Sequence, residues 1–224
     1  ASAFVGMNFA LKLQKNRLAT TEAAWIIREA YSKVTRFKMF DYDAQYVSAL
    51  AAAGATDVMV AVPNGELASL GKVTYAEQIV TRLAPFVTAG MTITLAVGNE
   101  PLAPWYNGRY APHLVPAVTN VRQAIASLGH AGTIKVTVPH YFGLLSSSYP
   151  PTAGAFHAQY VNTITSVARM LRDDGSVFCI NIYPFFAYRD NPQSIPLQYA
   201  LLETTHTAEG ITYPNMLAAQ IAAV

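Results

Sequence analysis

The amino-acid sequence predicts an α/β fold built on a parallel β-sheet, and three observations lead to that prediction. Short β-rich runs alternate with longer helical patterns along the whole chain, which is the rhythm of βα units. The β-rich runs are apolar almost throughout, as strands covered by helices on both faces must be. No linker or low-complexity segment divides the 224 residues. A single domain over residues 1–224 is therefore expected.

Six strands and six helices are predicted in alternation. The strands cover residues 3–8, 35–40, 57–62, 91–97, 134–139 and 177–183. The helices cover residues 21–33, 44–53, 74–88, 112–128, 156–172 and 214–224. Gly54 and Gly129 end the second and fourth helices, where a C-terminal cap favours a residue that tolerates positive φ.

Six units are compatible with two architectures. An eight-unit barrel would need two further strands, whereas an open, doubly wound sheet can consist of six. The nucleotide-binding version of the doubly wound fold is disfavoured by the first turn, residues 6–12. That turn has no second or third glycine at the spacing that cradles a phosphate.

Composition excludes several classes of function. Only 12% of the residues are charged, 52% are hydrophobic, and the net charge is +2 without any basic run. These values argue against nucleic acid or an anionic membrane as the main partner and favour neutral, polar ligands. No stretch approaches the roughly 18 apolar residues of a membrane span. Cys179 is the single cysteine, and we expect a buried, inert thiol there.

The most informative motif is Gly98-Asn99-Glu100-Pro101, at the carboxyl end of the apolar run 91–97. A carboxyl group at the mouth of a buried strand is partly desolvated, which makes Glu100 a candidate general acid. The neighbouring Asn99 can hold a substrate hydroxyl group. An Asn-Glu pair that merely caps the next helix is the simpler alternative, so the rest of the chain must decide.

The carboxyl ends of the other predicted strands are rich in amides, carboxylates and aromatic rings. Together with Asn99 and Glu100 they are Asn8, Asp41, Asp43, Asn64, His140, Tyr141, Asn181, Tyr183 and Phe186. Amides and carboxylates bind sugar hydroxyls, and flat rings stack on the apolar face of a pyranose. The histidines and acids show no metal-ligand spacing, and no Gly-x-Ser-x-Gly elbow is present. The sequence therefore predicts a carbohydrate site without a metal or another cofactor.

Five segments, in order, resemble the β-1,3-glucanases of glycoside hydrolase family 17. They are Arg-Phe-Lys-Met-Phe-Asp (36–41), Val-Met-Val-Ala-Val-Pro-Asn (58–64), Ala-Val-Gly-Asn-Glu (96–100), Ser-Tyr-Pro-Pro through Gly-Ala-Phe (148–156) and Asn-Ile-Tyr-Pro-Phe-Phe (181–186). The resemblance implies a (β/α)8 TIM-type barrel, of which about six of the eight βα units fall within this chain. It also implies a retaining mechanism on a β-glucan polysaccharide or oligosaccharide.

The resemblance assigns roles to individual residues. Glu100 corresponds to the proton donor, and Asn99 is expected to bind the hydroxyl next to the anomeric carbon. Tyr183 would lie near the nucleophile and the reducing-side sugar, with Phe186 as an aromatic wall. Asp41 and Asn64 would lie on the floor or rim of the cleft, either binding sugar or holding loops. Asn8 and His140, at the ends of the first and fifth strands, complete the predicted substrate contacts.

The family nucleophile is a Glu in a Ser-Glu-Ser-Gly-Trp-Pro-like segment, and the sequence contains no such segment. Glu203 and Glu209 are better explained as solvated loop acids. We expect the nucleophile beyond Val224, and we expect the 224 residues alone to be inactive. Another chain or a missing segment would then complete the barrel. A non-catalytic sugar-binding or structural subunit remains the alternative. Family resemblance also predicts a secreted protein, extracellular or in the cell wall.

Overall fold

The computed structural model describes residues 5–10, 15 and 18–224, and a five-stranded parallel sheet lies at its centre. Its strands are β1 (Met7–Phe9), β2 (Arg36–Met39), β3 (Asp57–Val62), β4 (Thr92–Val97) and β5 (Ile134–Thr137). Each strand pairs with the next along the chain. A doubly wound sheet reverses its strand order partway, so the unbroken order is that of a barrel wall.

The wall continues past β5. After Val138 the chain forms β6 (Pro139–Tyr141), which pairs in parallel with β9 (Cys179–Asn181). The fifth predicted strand is therefore a longer element with an interruption, and the sixth is shorter than predicted. Among the described strands β1 and β9 are not paired with each other, so these strands form an open barrel wall.

Five helices connect the strands, close to where the sequence predicts them. They are α1 (Thr20–Ala30), α2 (Ala44–Ala52), α3 (Val73–Thr88), α4 (Ala111–Ser127) and α5 (Ala158–Asp173). Asp43 caps α2 by accepting a hydrogen bond from the Gln45 backbone N–H at 3.0 Å. Gly54 and Gly129 follow α2 and α4 with φ of 93° and 76°, as the predicted C-terminal caps require.

The main core lies between the sheet and these helices. Val58 and Val60 of β3 and Ile93 and Leu95 of β4 have no exposed surface, and they pack in one cluster with Val121 of α4. These four side chains lie on one face of the sheet, whereas Met59 and Thr94 on the opposite face are only half-buried. Each fully buried Val, Leu or Ile side chain contributes about 1.5–3 kcal/mol relative to exposure.

Short elements that the sequence does not predict follow β6 and β9. They are β7 (Leu145–Ser147), β8 (Ala155–Phe156), α6 (Pro184–Asp190), α7 (Leu197–Ala200), β10 (His206–Ala208) and β11 (Ile211–Tyr213). The sixth predicted helix is shorter than expected and is α8 (Met216–Ala222). Elements of two to seven residues carry too little periodicity to be recognised.

Two further differences concern individual segments. The first strand is Met7–Phe9, later than the predicted 3–8, and residues 3 and 4 lie outside the described residues. The expected loop around Glu209 is the turn of the β10–β11 hairpin, where Glu209 and Gly210 have φ of 50° and 77°. Glu209 also accepts a hydrogen bond from Thr152, so it is not a free loop acid. No helix in the described part of the chain is both long enough and apolar enough to cross a bilayer.

Candidate active site

The loop after β4 begins with a glycine that the local geometry requires. Gly98 has φ of 78°, and a Cβ atom there would lie 2.6 Å from the Asn64 Oδ1 atom. That oxygen accepts a hydrogen bond from the Asn99 backbone N–H at 2.9 Å, and Asn64 Nδ2 donates to the Asn99 carbonyl at 2.8 Å. Asn64 therefore fixes the backbone of the residue immediately before Glu100.

Glu100 itself has an uncommon backbone conformation for a residue other than glycine, with φ of 53°. Its backbone N–H donates to the Pro139 carbonyl at 2.7 Å, and its own carbonyl accepts from the Ala103 N–H at 2.9 Å. These bonds hold the strained residue in place. Backbone strain of this kind clusters at functional sites, where the surrounding structure must maintain it.

The Glu100 carboxylate is oriented by an amide from the neighbouring strand. Asn181, at the end of β9, donates its Nδ2 hydrogen to Glu100 Oε1 at 2.7 Å. The same Nδ2 group lies 3.3 Å from the Asn99 Oδ1 atom. One amide thus connects both polar residues of the Asn99-Glu100 pair.

A lysine completes this polar network. Lys38 of β2 donates from Nζ to Asn99 Oδ1 at 3.4 Å and to Asn181 Oδ1 at 3.3 Å. Because Asn99 Oδ1 is occupied as an acceptor, the Asn99 side chain has its Nδ2 group to offer to a ligand. Burial lowers the pKa of Lys38, while the nearby Cys179 and Glu100 side chains act in the opposite direction. Cys179 is half-buried, less than the sequence prediction of a buried thiol, and this burial raises the pKa of the thiol.

Glu100 opens into a cavity of about 890 Å³ whose walls are mostly aromatic and apolar. Tyr183 and Phe186 form one wall, with their rings stacked at a centroid distance of 5.0 Å. Trp105 and Tyr141 form a second wall, with the two rings edge to face at 4.9 Å. A large apolar pocket with a few convergent polar groups is typical of a small-molecule or sugar site.

The acidic groups of the cavity differ in their partners. Glu100 and Asp190 are the carboxylates that line it within the described chain. Asp190 forms an ion pair with Arg189, with 2.7 Å between Asp190 Oδ1 and Arg189 Nε. The hydrogen bond from Arg189 lowers the pKa of Asp190. Among the described residues, no group of three His, Cys, Asp or Glu side chains could hold a metal ion.

Tyr183 and Phe186 line this cavity, whereas the other predicted substrate contacts do not: Asn99, Asn64, Asp41, Asn8 and His140. Asn64 uses both of its side-chain polar atoms on the Asn99 backbone, which is the loop-holding alternative of the sequence prediction. Asp41 accepts a hydrogen bond from the Asp43 N–H at 2.9 Å, at the start of α2. Asn8 lies exposed on β1, in register with Lys38.

The structure contradicts the predicted substrate contact of His140. Its side chain is fully buried, and its ring stacks on Phe178 at a centroid distance of 5.0 Å. Burial lowers its pKa to about 4, so the imidazole is neutral near pH 7. A ring without exposed surface cannot contact a sugar in the cavity, and we assign His140 to the core.

Four residues of the site, Asn181, Tyr141, Lys38 and Trp105, receive no individual role in the sequence prediction. Tyr141 ends β6 and Asn181 ends β9. Both are among the polar and aromatic residues at strand ends from which the sequence predicts a carbohydrate site. Lys38 alternates with the buried Phe37 and Met39 of β2, and this pattern does not distinguish it from a solvent-facing residue. Trp105 lies in a loop after β4, and no periodic pattern identifies it.

Comparisons with known proteins point to one family. The family model of Glycosyl hydrolases family 17 matches residues 10–224. Glucan endo-1,3-beta-glucosidase 11 of Arabidopsis thaliana is 31% identical, with 98% of this chain and 52% of that protein covered. Glucan endo-1,3-beta-glucosidase GII of Hordeum vulgare is 32% identical, with 85% and 56% covered. The chain thus spans about half the length of the curated relatives it matches.

Solved structures agree in fold. CJP38, a β-1,3-glucanase and allergen of Cryptomeria japonica pollen, superposes with a TM-score of 0.88 at 29% identity, over 98% of this chain and 68% of that one. A plant β-glucan endohydrolase superposes with a TM-score of 0.82 at 24% identity, over 98% of this chain and 70% of that one.

Proposed function

Because this chain belongs to glycosyl hydrolases family 17, we propose that the protein hydrolyses β-1,3-linked glucans with Glu100 as the general acid and base. The observation that carries this proposal is the setting of the Glu100 carboxylate. It lies on a strained residue, receives a hydrogen bond from Asn181 at 2.7 Å, and opens into a cavity with aromatic walls. A pre-organised carboxyl group beside a sugar-sized cavity is what protonation of a glycosidic oxygen requires.

The proposed reaction proceeds with retention of the anomeric configuration. Glu100 first gives its proton to the leaving glycosidic oxygen, while a second carboxylate attacks the anomeric carbon and forms a glycosyl-enzyme. Glu100, now ionised, then removes a proton from the water that hydrolyses this intermediate. Asn99 offers its Nδ2 group to the hydroxyl next to the anomeric carbon, and Tyr183 and Phe186 stack on the sugar ring.

The nucleophile must be a carboxylate about 5–5.5 Å from Glu100. Asp190 is a poor candidate, because Arg189 already neutralises it at the end of α6. We therefore propose that a Glu following Val224 supplies the nucleophile. Because polymeric glucan does not cross membranes, an extracellular location accompanies this proposal.

Replacement of Glu100 by Gln tests the function directly. The change keeps the size of the side chain and removes the transferable proton. We expect the protein carrying the segment after Val224 to lose about 10²–10⁴-fold in laminarin hydrolysis, measured as reducing ends. Glu203→Gln, in the exposed segment after α7, is the matched control and should keep wild-type activity.

The result also separates the two candidate functions. Hydrolysis that survives Glu100→Gln would refute the acid/base role. A wild-type protein that binds laminarin but never cleaves it would instead establish the non-catalytic sugar-binding subunit.

A further inference from the structure

Trp105 is an exposed indole on the loop that carries Glu100. It lies in the short 3-10 turn Pro104–Tyr106, five positions after Glu100, and 55% of its surface is exposed. Both residues line the same cavity. What distinguishes Trp105 from other exposed rings is its place on the cavity wall, where a ligand could bury its apolar surface.

The orientation of Trp105 is fixed by its neighbours. Its ring meets Tyr141 edge to face at a centroid distance of 4.9 Å and an interplanar angle of 68°. Tyr106 packs against it at 5.9 Å, and Tyr106 in turn meets Tyr110 at 5.0 Å. Four aromatic rings thus form one connected cluster, in which Trp105 is the exposed member nearest to Glu100 in sequence.

Tyr141 is itself held closely. Its ring lies over Gly143, where an added Cβ atom would come within 2.3 Å of the ring. Any side chain at position 143 would displace Tyr141, and with it the contact that orients Trp105. The Trp105 ring is therefore pre-organised, which reduces the entropy that a ligand would lose in ordering it.

We propose that Trp105 is a stacking platform for a glucosyl unit, in addition to Tyr183 and Phe186, which line the same cavity. A β-linked glucose ring carries its hydroxyls around its edge and presents two flat C–H faces. An indole face matches such a surface in size and polarity. The platform rests on the proposed function, and it adds a sugar subsite next to the linkage that Glu100 protonates.

The two tryptophans of the chain provide a matched test. Trp105 lines the cavity, whereas Trp25 lies on α1 and is 59% exposed on a different surface. In a Glu100→Gln background, which prevents turnover, binding of a β-1,3-linked glucohexaose is measured by calorimetry and by tryptophan emission. We expect Trp105→Ala to weaken binding about tenfold and Trp105→Phe to weaken it less. Trp25→Phe should leave the affinity unchanged.

Emission distinguishes the two rings independently of affinity. Binding should shift the emission of Trp25→Phe, in which Trp105 is the remaining tryptophan, and should leave that of Trp105→Phe unchanged. Circular dichroism melting curves identify any variant that fails to fold, and Trp105→Phe retains the apolar contact with Tyr141. Equal affinity of Trp105→Ala and its parent would overturn the platform. Absence of glucan binding in the parent protein would overturn the proposed function, and the platform with it.

Discussion

The barrel wall and the segment after it differ in how completely their apolar residues are buried. In the wall, β3 and β4 carry side chains with no exposed surface, such as Val60 and Leu95, under helices of up to 17 residues. After β9, the elements are at most seven residues long, and the residues of their small core, such as Met216, stay 6–8% exposed. The wall thus supplies most of the folding stability. The later segment supplies much of the cavity lining, and Glu100 lies at the boundary between them.

Two methionines provide the strongest test of that contrast. Met39 of β2 is 1% exposed in the main core, and Met216 of α8 is 8% exposed in the small core. We expect Met39→Ala to lower the free energy of unfolding by about 2–5 kcal/mol, because the tightly packed wall cannot close the cavity. Met216→Ala should cost about 1 kcal/mol, since its neighbours can relax.

Urea unfolding followed by circular dichroism measures both changes. Comparable losses in the two variants would show that the segment after β9 is as firmly packed as the wall. A lower denaturant slope in Met216→Ala alone would indicate that this segment unfolds separately.

The boundary itself contains a buried titratable group, His140 of β6. Its pKa is lowered from 6.5 to about 4 by burial. Between these pH values the unfolded chain binds a proton that the folded chain does not, so stability falls as the pH drops from 6.5 to 4. The full loss is about 3 kcal/mol and is complete below pH 4.

Replacement of His140 by Phe removes this titration and preserves the stack on Phe178. We expect denaturant midpoints of His140→Phe to depend less on pH between 6.5 and 4 than those of wild type. Near pH 7 the variant should be at least as stable, because both imidazole nitrogens lack hydrogen-bond partners among the described residues. His113→Gln, on the exposed face of α4, should keep the wild-type pH dependence. If the denaturant midpoint of His140→Phe depends on pH as strongly as that of wild type, the lowered pKa of His140 is not the cause of the pH dependence.

The wall could be predicted from sequence, whereas the later segment could not, for a physical reason. Strands and helices that are buried over many residues repeat their apolar positions, as Asp57–Val62 and Val73–Thr88 do. The hairpin and α6 are short and partly exposed, so their formation depends on tertiary contacts. Glu100 could be singled out because it lies in the loop directly after the buried strand β4.

A residue at a strand end can point either into the core or into the site, and the sequence does not show which. His140 follows the fifth predicted strand and Asn181 lies near the end of the sixth, yet His140 turns into the core while Asn181 reaches Glu100. Position near a strand end does not separate these two residues. The alternation of side chains along a strand decides between them, and a shift of one residue in register reverses the outcome.

The smallest effect we predict concerns Lys38 of β2, whose side chain reaches Asn181 of β9. Its ammonium group donates to Asn99 Oδ1 and Asn181 Oδ1, at 3.4 and 3.3 Å. Lys38→Met should release both amides, so that Asn181 no longer fixes Glu100. Hydrogen bonds to charged groups are worth about 1.5–3 kcal/mol. We expect kcat/KM for laminarin to fall at least tenfold in the protein carrying the segment after Val224, chiefly through kcat.

Two further variants decide whether that loss comes from positioning. Lys38→Arg keeps a cation and its donors and should recover part of the activity. Lys135 of β5 donates instead to the Asp174 carbonyl at 3.0 Å, away from Glu100, so Lys135→Met should affect stability but not kcat. Equal losses of kcat in Lys38→Met and Lys135→Met would mean that any lysine removed from the wall has this effect. A loss confined to Lys38 and reduced by Arg would show that the wall orients the catalytic carboxylate through a single cation.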